Sequence, residues 1–275
     1  MRVKDLYRQK IVADLHTHTI FSKHAYSTAR EVIQAAREQH LKYLAITDHF
    51  FLPKDYILEK NTISQFAYQD EWFNMRDAAD VRVIGGMEMN LCQDIPLCDK
   101  DLKKLAMVRW RPIGLHSWFL SLRDTTPAMV YKEFEKAVRS KPYNPLHPTA
   151  LAHIEREIEN LDYKKHYKEY METGRLSDDI KEMLRALVDL ACDEGIPLEL
   201  NESSMRYNKG GNVEAIRYWM NYAKEKKAKI YMGTDSHYCE AVGIFERSLD
   251  MLEEIKYPID LILNCDEIEL LTEIC

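Results

Sequence analysis

The sequence predicts an α/β fold whose mostly parallel sheet closes into a single-domain, TIM-like barrel, and three observations predict it. Short β-branched or apolar runs alternate with longer amphipathic stretches, the pattern of strand–helix units in a parallel sheet. About eight such units fit into 275 residues, a normal length for one α/β barrel. Ionisable residues recur at the carboxyl ends of successive apolar runs, the face on which such barrels place their chemistry.

The runs that read as strands are residues 10–15 (KIVADL), 42–47 (KYLAIT), 81–88 (VRVIGGME), 109–115, 149–153, 197–201 (PLELN), 228–234 (AKIYMGT) and 259–264 (IDLILN). Apolar residues at helical spacing mark 28–40, 65–79, 127–140, 178–194, 212–226, 243–256 and 266–274 as helices. Thr28, with Glu31 three residues on, forms a capping box that starts the first of these. Gly195, with Pro197 just beyond, closes the 178–194 helix. No low-complexity segment, polar linker or repeat divides the chain, so residues 1–275 read as one domain.

A hydrophobic fraction of 46% with 30% charged residues describes a globular chain with material for a core. The net charge of −7 disfavours nucleic acid as a partner, since that role normally needs a basic face. The opening MRVKDLYRQKIVADLH alternates charged and apolar residues, unlike a signal peptide. No stretch approaches the ~18 uninterrupted apolar residues of a membrane span. The six cysteines, Cys92, Cys98, Cys192, Cys239, Cys265 and Cys275, contain no C-x-x-C pair. They read as reduced thiols, and the expected location is cytoplasmic.

The strand-end residues define a metal site. His16 and His18 follow the first strand, Asp48 and His49 the second, Glu88 ends the third, His116 the fourth and His153 the fifth. Glu199 and Asn201 end the sixth, Asp235 and His237 follow the seventh, and Asn264 ends the eighth. In His16-Thr17-His18 both imidazoles project to one side, because alternate residues of an extended segment share a face. Asp235-Ser236-His237 repeats the device. With His24, seven histidines share this phase, and imidazole combined with carboxylate suits zinc, iron or manganese. Seven histidines and two acids exceed the ~four to six ligands one ion uses, so two or three ions are implied. His40 and His166 lie in charged segments and read as surface residues. His153 is preferred over His147, because it ends the fifth apolar run while His147 precedes it.

These residues resemble the PHP family, named for polymerase and histidinol phosphatase. Asp14-Leu-His-Thr-His-Thr19, Thr47-Asp-His49, Glu88, His116, Ala152-His153-Ile154 and Gly233-Thr-Asp-Ser-His237 match its motifs in order and spacing. Lys23-His24-Ala-Tyr-Ser-Thr28 is closest to the small stand-alone phosphatase branch, whose members carry three metal ions. Leu198-Glu-Leu-Asn-Glu-Ser-Ser-Met-Arg206 is similar to the histidinol phosphatases. The resemblance implies a distorted (β/α)7 barrel, so one of the eight strands is misread or lies outside the closed sheet. It divides nine ligands among three divalent ions. The first site takes His16, His18, Glu88 and Asp235. The second shares Glu88 as a bridge with His116 and His153, and the third takes His24, His49 and His237. Zinc is the expected metal, with iron or manganese as alternatives.

The implied activity is metal-dependent hydrolysis of a small phosphate monoester, histidinol phosphate or a nucleotide-derived ester being examples. The alternative is a phosphodiesterase or nuclease acting on nucleotide or oligonucleotide ends. Asp235, His237 and Arg206 are the catalytic candidates, with Arg206 as a phosphate clamp against its bland reading as a surface ion-pairing residue. Asp14 and Asp48 are expected to orient ligand imidazoles. Lys209 is a weaker candidate. Trp118 either stacks on substrate or, the preferred reading, packs the pocket wall. The charged, tyrosine-rich stretch at about 155–179 is either a lid or specificity insertion or a surface helix pair. Substrate identity and oligomeric state stay open.

Overall fold

Alternate residues of the strands serve two different apolar clusters, and that division organises the molecule. In the computed structural model, which describes residues 3–22, 24–49, 80–91, 108–116, 125–140, 147–156, 172–207, 212–266 and 270, Ala13, Leu15, Tyr43, Ala45, Ile84, Trp110, Ala150, Tyr231 and Leu263 pack into one buried cluster. Their sequence neighbours Leu44, Ile46 and Val83 point the other way, against Val32, Ile33 and Ala36 of a covering helix. Leu151, Leu198, Leu200, Ile230 and Met232 do the same against the helices on their side. Period-two alternation between an inner cluster and an outer helical layer is what residues of a covered parallel sheet must show.

The strands are β1 (Ala13–Thr17), β2 (Tyr43–Ile46), β3 (Arg82–Gly85), β4 (Met89–Asn90), β5 (Pro112–Gly114), β6 (Ala150–Leu151), β7 (Leu198–Asn201) and β8 (Ile230–Gly233). They form two parallel sheets, ordered β1-β2-β3 and β4-β5-β6-β7-β8. β3 and β4 belong to one continuous run that changes partners, with an isolated bridge from Gly86 to Trp110 between them. At the other margin, Asp235 N donates to His16 O at 2.7 Å and His18 N to Ser236 O at 2.9 Å. The strand pairings therefore show a parallel α/β fold in two sheets, linked at both margins by single bridges and short hydrogen bonds.

The helices described are α1 (Val3–Lys10), α2 (Ala29–Glu38), α3 (Pro127–Val138), α4 (Asp178–Glu194), α5 (Glu202–Tyr207), α6 (Asn212–Lys226) and α7 (Glu246–Ile255). The Thr28 capping box is present: Glu31 N donates to Thr28 Oγ1 at 3.4 Å and Thr28 N to Glu31 Oε2 at 2.7 Å. Gly195 closes α4 at φ 69°, the left-handed conformation that glycine adopts without a side-chain penalty. The strand-poor N-terminus holds a helix that periodicity did not reveal. α1 lies on α7, with Lys4 Nζ 3.2 Å from Glu246 Oε2 and the Tyr7 hydroxyl donating to Tyr257 O at 2.6 Å. The 65–79 helix and most of the 266–274 helix lie outside the described residues.

The eighth predicted strand is corrected. Residues 259–264 form 3₁₀ turns at Ile259–Leu261 and Leu263–Cys265, joined to the sheet by one bridge between Ile230 and Ile262. Pro258 cannot donate to a ladder, and the apolar run beyond it buries Ile262 and Leu263 without strand geometry. A side chain takes the place of the missing ladder. Asn264 Oδ1 accepts from Met232 N at 2.6 Å, while Nδ2 donates to Ala13 O and Met232 O at 2.9 Å each. One buried amide thus ties β8 to β1.

Candidate metal centre

The site begins where the strands run out. β1 delivers His16 and, one residue beyond its end, His18, both fully buried. Asp48 and His49 lie just past β2, Glu88 sits immediately before β4, and His116 lies two residues past β5. His153 follows β6 and Asp235 and His237 follow β8. His24 comes from the loop that leads into α2. Below this ring the inner cluster is apolar, sealed by Trp110, whose Nε1 donates to Leu15 O at 2.8 Å.

The structure brings all nine predicted ligands together around Glu88. Its Oε1 lies 2.6 Å from His153 Nε2 and 3.1 Å from His116 Nε2. Its Oε2 lies 2.7 Å from His49 Nδ1, 3.4 Å from His18 Nε2 and 3.5 Å from His16 Nε2. Asp235 Oδ1 is 3.1 Å from His18 Nε2 and 3.8 Å from His16 Nε2. His24 Nε2 lies 2.7 Å from His237 Nε2 and 3.3 Å from His49 Nε2. Within this ring, His16–His18–Glu88, His49–Glu88–His116 and His18–His49–His237 each bring three donor atoms within 4.8 Å of one another.

The donor set fits divalent cations. Among the described residues, Glu88 Oε2 and Asp235 Oδ1 are buried without a well-formed hydrogen bond despite the imidazoles beside them, a costly arrangement unless something positive sits between them. Burial works against the charge on Glu88, yet His116, His49 and His16 hold its carboxyl well below the usual range. Asp235 is treated likewise: burial opposes its charge, but Arg156, His16 and His18 keep it ionised. Burial, with His49 and His237 close by, pushes His18 well below the ordinary imidazole value and His24 down to about 4. His16 moves the other way: burial opposes its charge, but Glu199, Glu88 and Asp235 hold it well above the ordinary imidazole value. Ionised carboxylates beside neutral imidazoles, as at His18 and His24, are the protonation state that a metal ion requires.

Two site residues sit in backbone conformations that non-glycine residues rarely adopt, His153 at φ 25° and Asp235 at φ 49°. Such strain persists only when the surroundings over-determine it, and it concentrates at functional sites. Here Asp235 N is held by His16 O, and His153 N donates to Glu199 Oε2 at 2.9 Å.

Among the described residues, neither of the two carboxylates expected to orient imidazoles hydrogen-bonds one directly. Asp14 turns to backbone and hydroxyl donors, accepting from Thr234 N at 3.0 Å and Gly243 N at 3.0 Å. Asp48 accepts from Thr19 N, Thr19 Oγ1 and Ser22 Oγ at 2.6–2.7 Å. Beyond the predicted ligands Glu88 and Asp235, Glu199 meets an imidazole directly, with Oε1 2.7 Å from His16 Nδ1. The sequence placed Glu199 at the right strand end without assigning it this role.

Arg156 was missed altogether. Its guanidinium bonds Asp235 Oδ2 and lies 3.3 Å from Asn201 Oδ1. Its one sequence signal is its place three residues after His153, at the head of a charged segment that hides it. Arg206, on α5, bonds the hydroxyl of Tyr238, the residue after His237. His147 stays outside the cluster, near Ser140, and His40 is exposed. Trp118, His166, Lys209 and residues 157–171 lie outside the described residues.

A parallel α/β fold with this many imidazoles and carboxylates at its strand ends offers a centre that could hold divalent metal ions. The PHP domain model matches residues 14–203, and the chain belongs to the PHP family. It is 29% identical over 271 residues to a protein described as a probable phosphatase from Clostridium botulinum, covering 95% of this chain and 93% of that one. It is 27% identical over 263 residues to a probable phosphatase from Proteus mirabilis, covering 91% and 89%. Among solved structures it is similar to the histidinol phosphate phosphatase of Lactococcus lactis complexed with zinc, L-histidinol and phosphate. That match has a TM-score of 0.58 at 15% identity and covers 90% of this chain and 94% of that one. Among the described residues, no helix is long and apolar enough to cross a membrane.

Proposed function

We propose that the chain is a phosphatase that hydrolyses a small phosphate monoester at a three-ion site on the carboxyl face of a distorted (β/α)7 barrel. The observation that carries this reading is the ring of seven imidazoles and one aspartate gathered around Glu88. The barrel reading rests on the inner cluster shared by strands of both sheets. The first ion is assigned to His16, His18, Glu88 and Asp235, the second to Glu88, His116 and His153, and the third to His24, His49 and His237. Zinc is the favoured metal, since the Lactococcus relative is complexed with it; iron and manganese suit the same donors.

Divalent ions held here would lower the pKa of bound water toward ~7 and neutralise phosphate charge. The protein's own part is to hold and insulate. Glu88, fully buried, reaches members of all three groups and fixes their spacing. Asp235 offers Oδ1 to the imidazoles while Arg156 and Asn201 hold Oδ2, which favours a one-oxygen ligand. His24 and His237 are the more exposed members of the ring, so the phosphoryl group is placed on their side. Arg206, tethered beside His237 through Tyr238, and Arg156 are the guanidiniums proposed to grip it. The relatives' names support phosphatase chemistry, and histidinol phosphate is one substrate to try.

The test is phosphate release by zinc- or manganese-loaded protein from histidinol phosphate, nucleotides, sugar phosphates and a diester. Turnover of a monoester is expected. Turnover of the diester alone would replace this reading with the phosphodiesterase alternative.

A further inference from the structure

We infer that Ser22 is a positioning residue that fixes the tautomer of His18 and the place of His49, so that one hydroxyl serves two of the proposed ion sites. The inference rests on the metal-centre reading above. Its physical basis is a count of protons.

Ser22 ends a short 3₁₀ turn, Ile20–Ser22, and is fully buried. Its hydroxyl has one proton to give and two lone pairs to receive with. The proton goes to Asp48, whose Oδ1 lies 2.6 Å from Ser22 Oγ. That carboxylate also receives Thr19 N and Thr19 Oγ1, both at 2.7 Å. The acceptor side of Ser22 takes the backbone N–H of His49 at 3.1 Å and meets Nδ1 of His18 at 2.9 Å. Since the hydroxyl proton is already committed, His18 Nδ1 must carry a proton and donate it. The Nε2 lone pair of His18 is then left facing Asp235 Oδ1 at 3.1 Å and His16 Nε2 at 3.1 Å. At His16, Glu199 Oε1 meets Nδ1 at 2.7 Å, so this ring also turns Nε2 toward the centre. Two lone pairs facing each other at 3.1 Å repel, unless a cation or a proton lies between them.

Ser22 also holds a second member of the third group, since its carbonyl accepts the backbone N–H of His24 at 2.7 Å. The chain thus routes Asp48, whose carboxylate bonds Thr19 and Ser22, onto His18 through a hydroxyl. Removing that hydroxyl would leave His18 Nδ1 without its acceptor and free the ring to take the Nε2–H form, which cannot bind a cation through Nε2.

The experiment combines histidine-selective ¹⁵N NMR of the metal-free full-length protein with zinc affinity measured by chelator competition. In the wild type the His18 ring is expected as the Nδ1–H tautomer. Ser22→Ala is expected to lose that signal and to bind zinc ~10–100-fold more weakly, the range for removing a group that orients a metal-binding histidine. Ser22→Thr, which keeps the hydroxyl, is expected to restore both. An Nε2–H tautomer in the wild type would overturn the inference without any variant, as would unchanged tautomer and affinity in a folded Ser22→Ala. Failure of the wild type to bind zinc would sink the metal-centre reading instead, and the tautomer measurement would still judge Ser22.

Discussion

Oε1 of Glu199 lies 2.7 Å from Nδ1 of His16, and Oε2 of the same carboxylate accepts the backbone N–H of His153 at 2.9 Å. One buried side chain on β7 therefore sets the ring of a residue on β1 and the backbone of a strained residue after β6. Glu199→Gln keeps the volume but places an N–H donor where an acceptor is needed. The variant is expected to stay folded and to lose ~10–100-fold in zinc affinity. Affinity equal to wild type in chelator competition would show that His16 needs no such partner.

Gly114 predicts a second, steric effect. A Cβ at this position would lie 2.4 Å from Cε1 of His153 and 3.1 Å from both ring nitrogens. β5 runs under the imidazole too closely for any side chain, so Gly114→Ala must displace the ring or the strand. The expected outcome is loss of zinc from the variant, measured by elemental analysis, with circular dichroism close to wild type. Full occupancy would mean that His153 is not needed as a ligand.

Asn264 predicts a stability effect far from any chemistry. Asn264→Ala strips hydrogen bonds from Met232 N, Met232 O and Ala13 O, all in the buried seam. Leaving a buried polar group unsatisfied costs ~1–3 kcal/mol, and three are exposed to that penalty. A loss of ~3 kcal/mol or more is expected, read as a drop in Tm of roughly 10 °C for a chain this long. A drop under two degrees would show that water or backbone shifts replace the amide.

Metal removal gives a fourth outcome. Without cations, Glu88 and Asp235 are buried carboxylates beside His18, which burial pushes toward its neutral form. Ions that bind only the folded chain stabilise it in proportion to their free concentration, ~2.7 kcal/mol at a hundredfold excess over Kd. Chelation is expected to lower Tm and zinc to restore it in a concentration-dependent way. A melting curve indifferent to both would remove the case for a structural contribution from the ions.

Much of the candidate site was legible because residues at strand ends inherit the strands' spacing. His16 and His18 sit two apart at the end of β1, and Asp235 and His237 two apart beyond β8, so periodicity alone pointed them to one face. The Thr28–Glu31 box and Gly195 were readable because caps are local interactions. What depends on long-range partners was hidden. Asp14 is two residues from His16, yet its carboxylate turns to the 234–243 loop. Glu199 and Arg156 gain their roles from residues 183 and 79 positions away. The run at 259–264 is apolar enough for a strand, and pattern cannot separate buried strand from buried 3₁₀ turn in so short a stretch.

The seam between β1 and β8 also bears on how the protein is made. Asp235 must find the carbonyl of His16, and Ser236 the N–H of His18, across more than two hundred residues of intervening chain. Contacts of such sequence separation form late, after the entropy of closing the loop has been met. His16 and His18 leave the ribosome more than two hundred residues ahead of Asp235. Until Asp235 follows, the growing chain carries only half of the candidate centre, and the closed seam is itself a report that these distant segments have folded together.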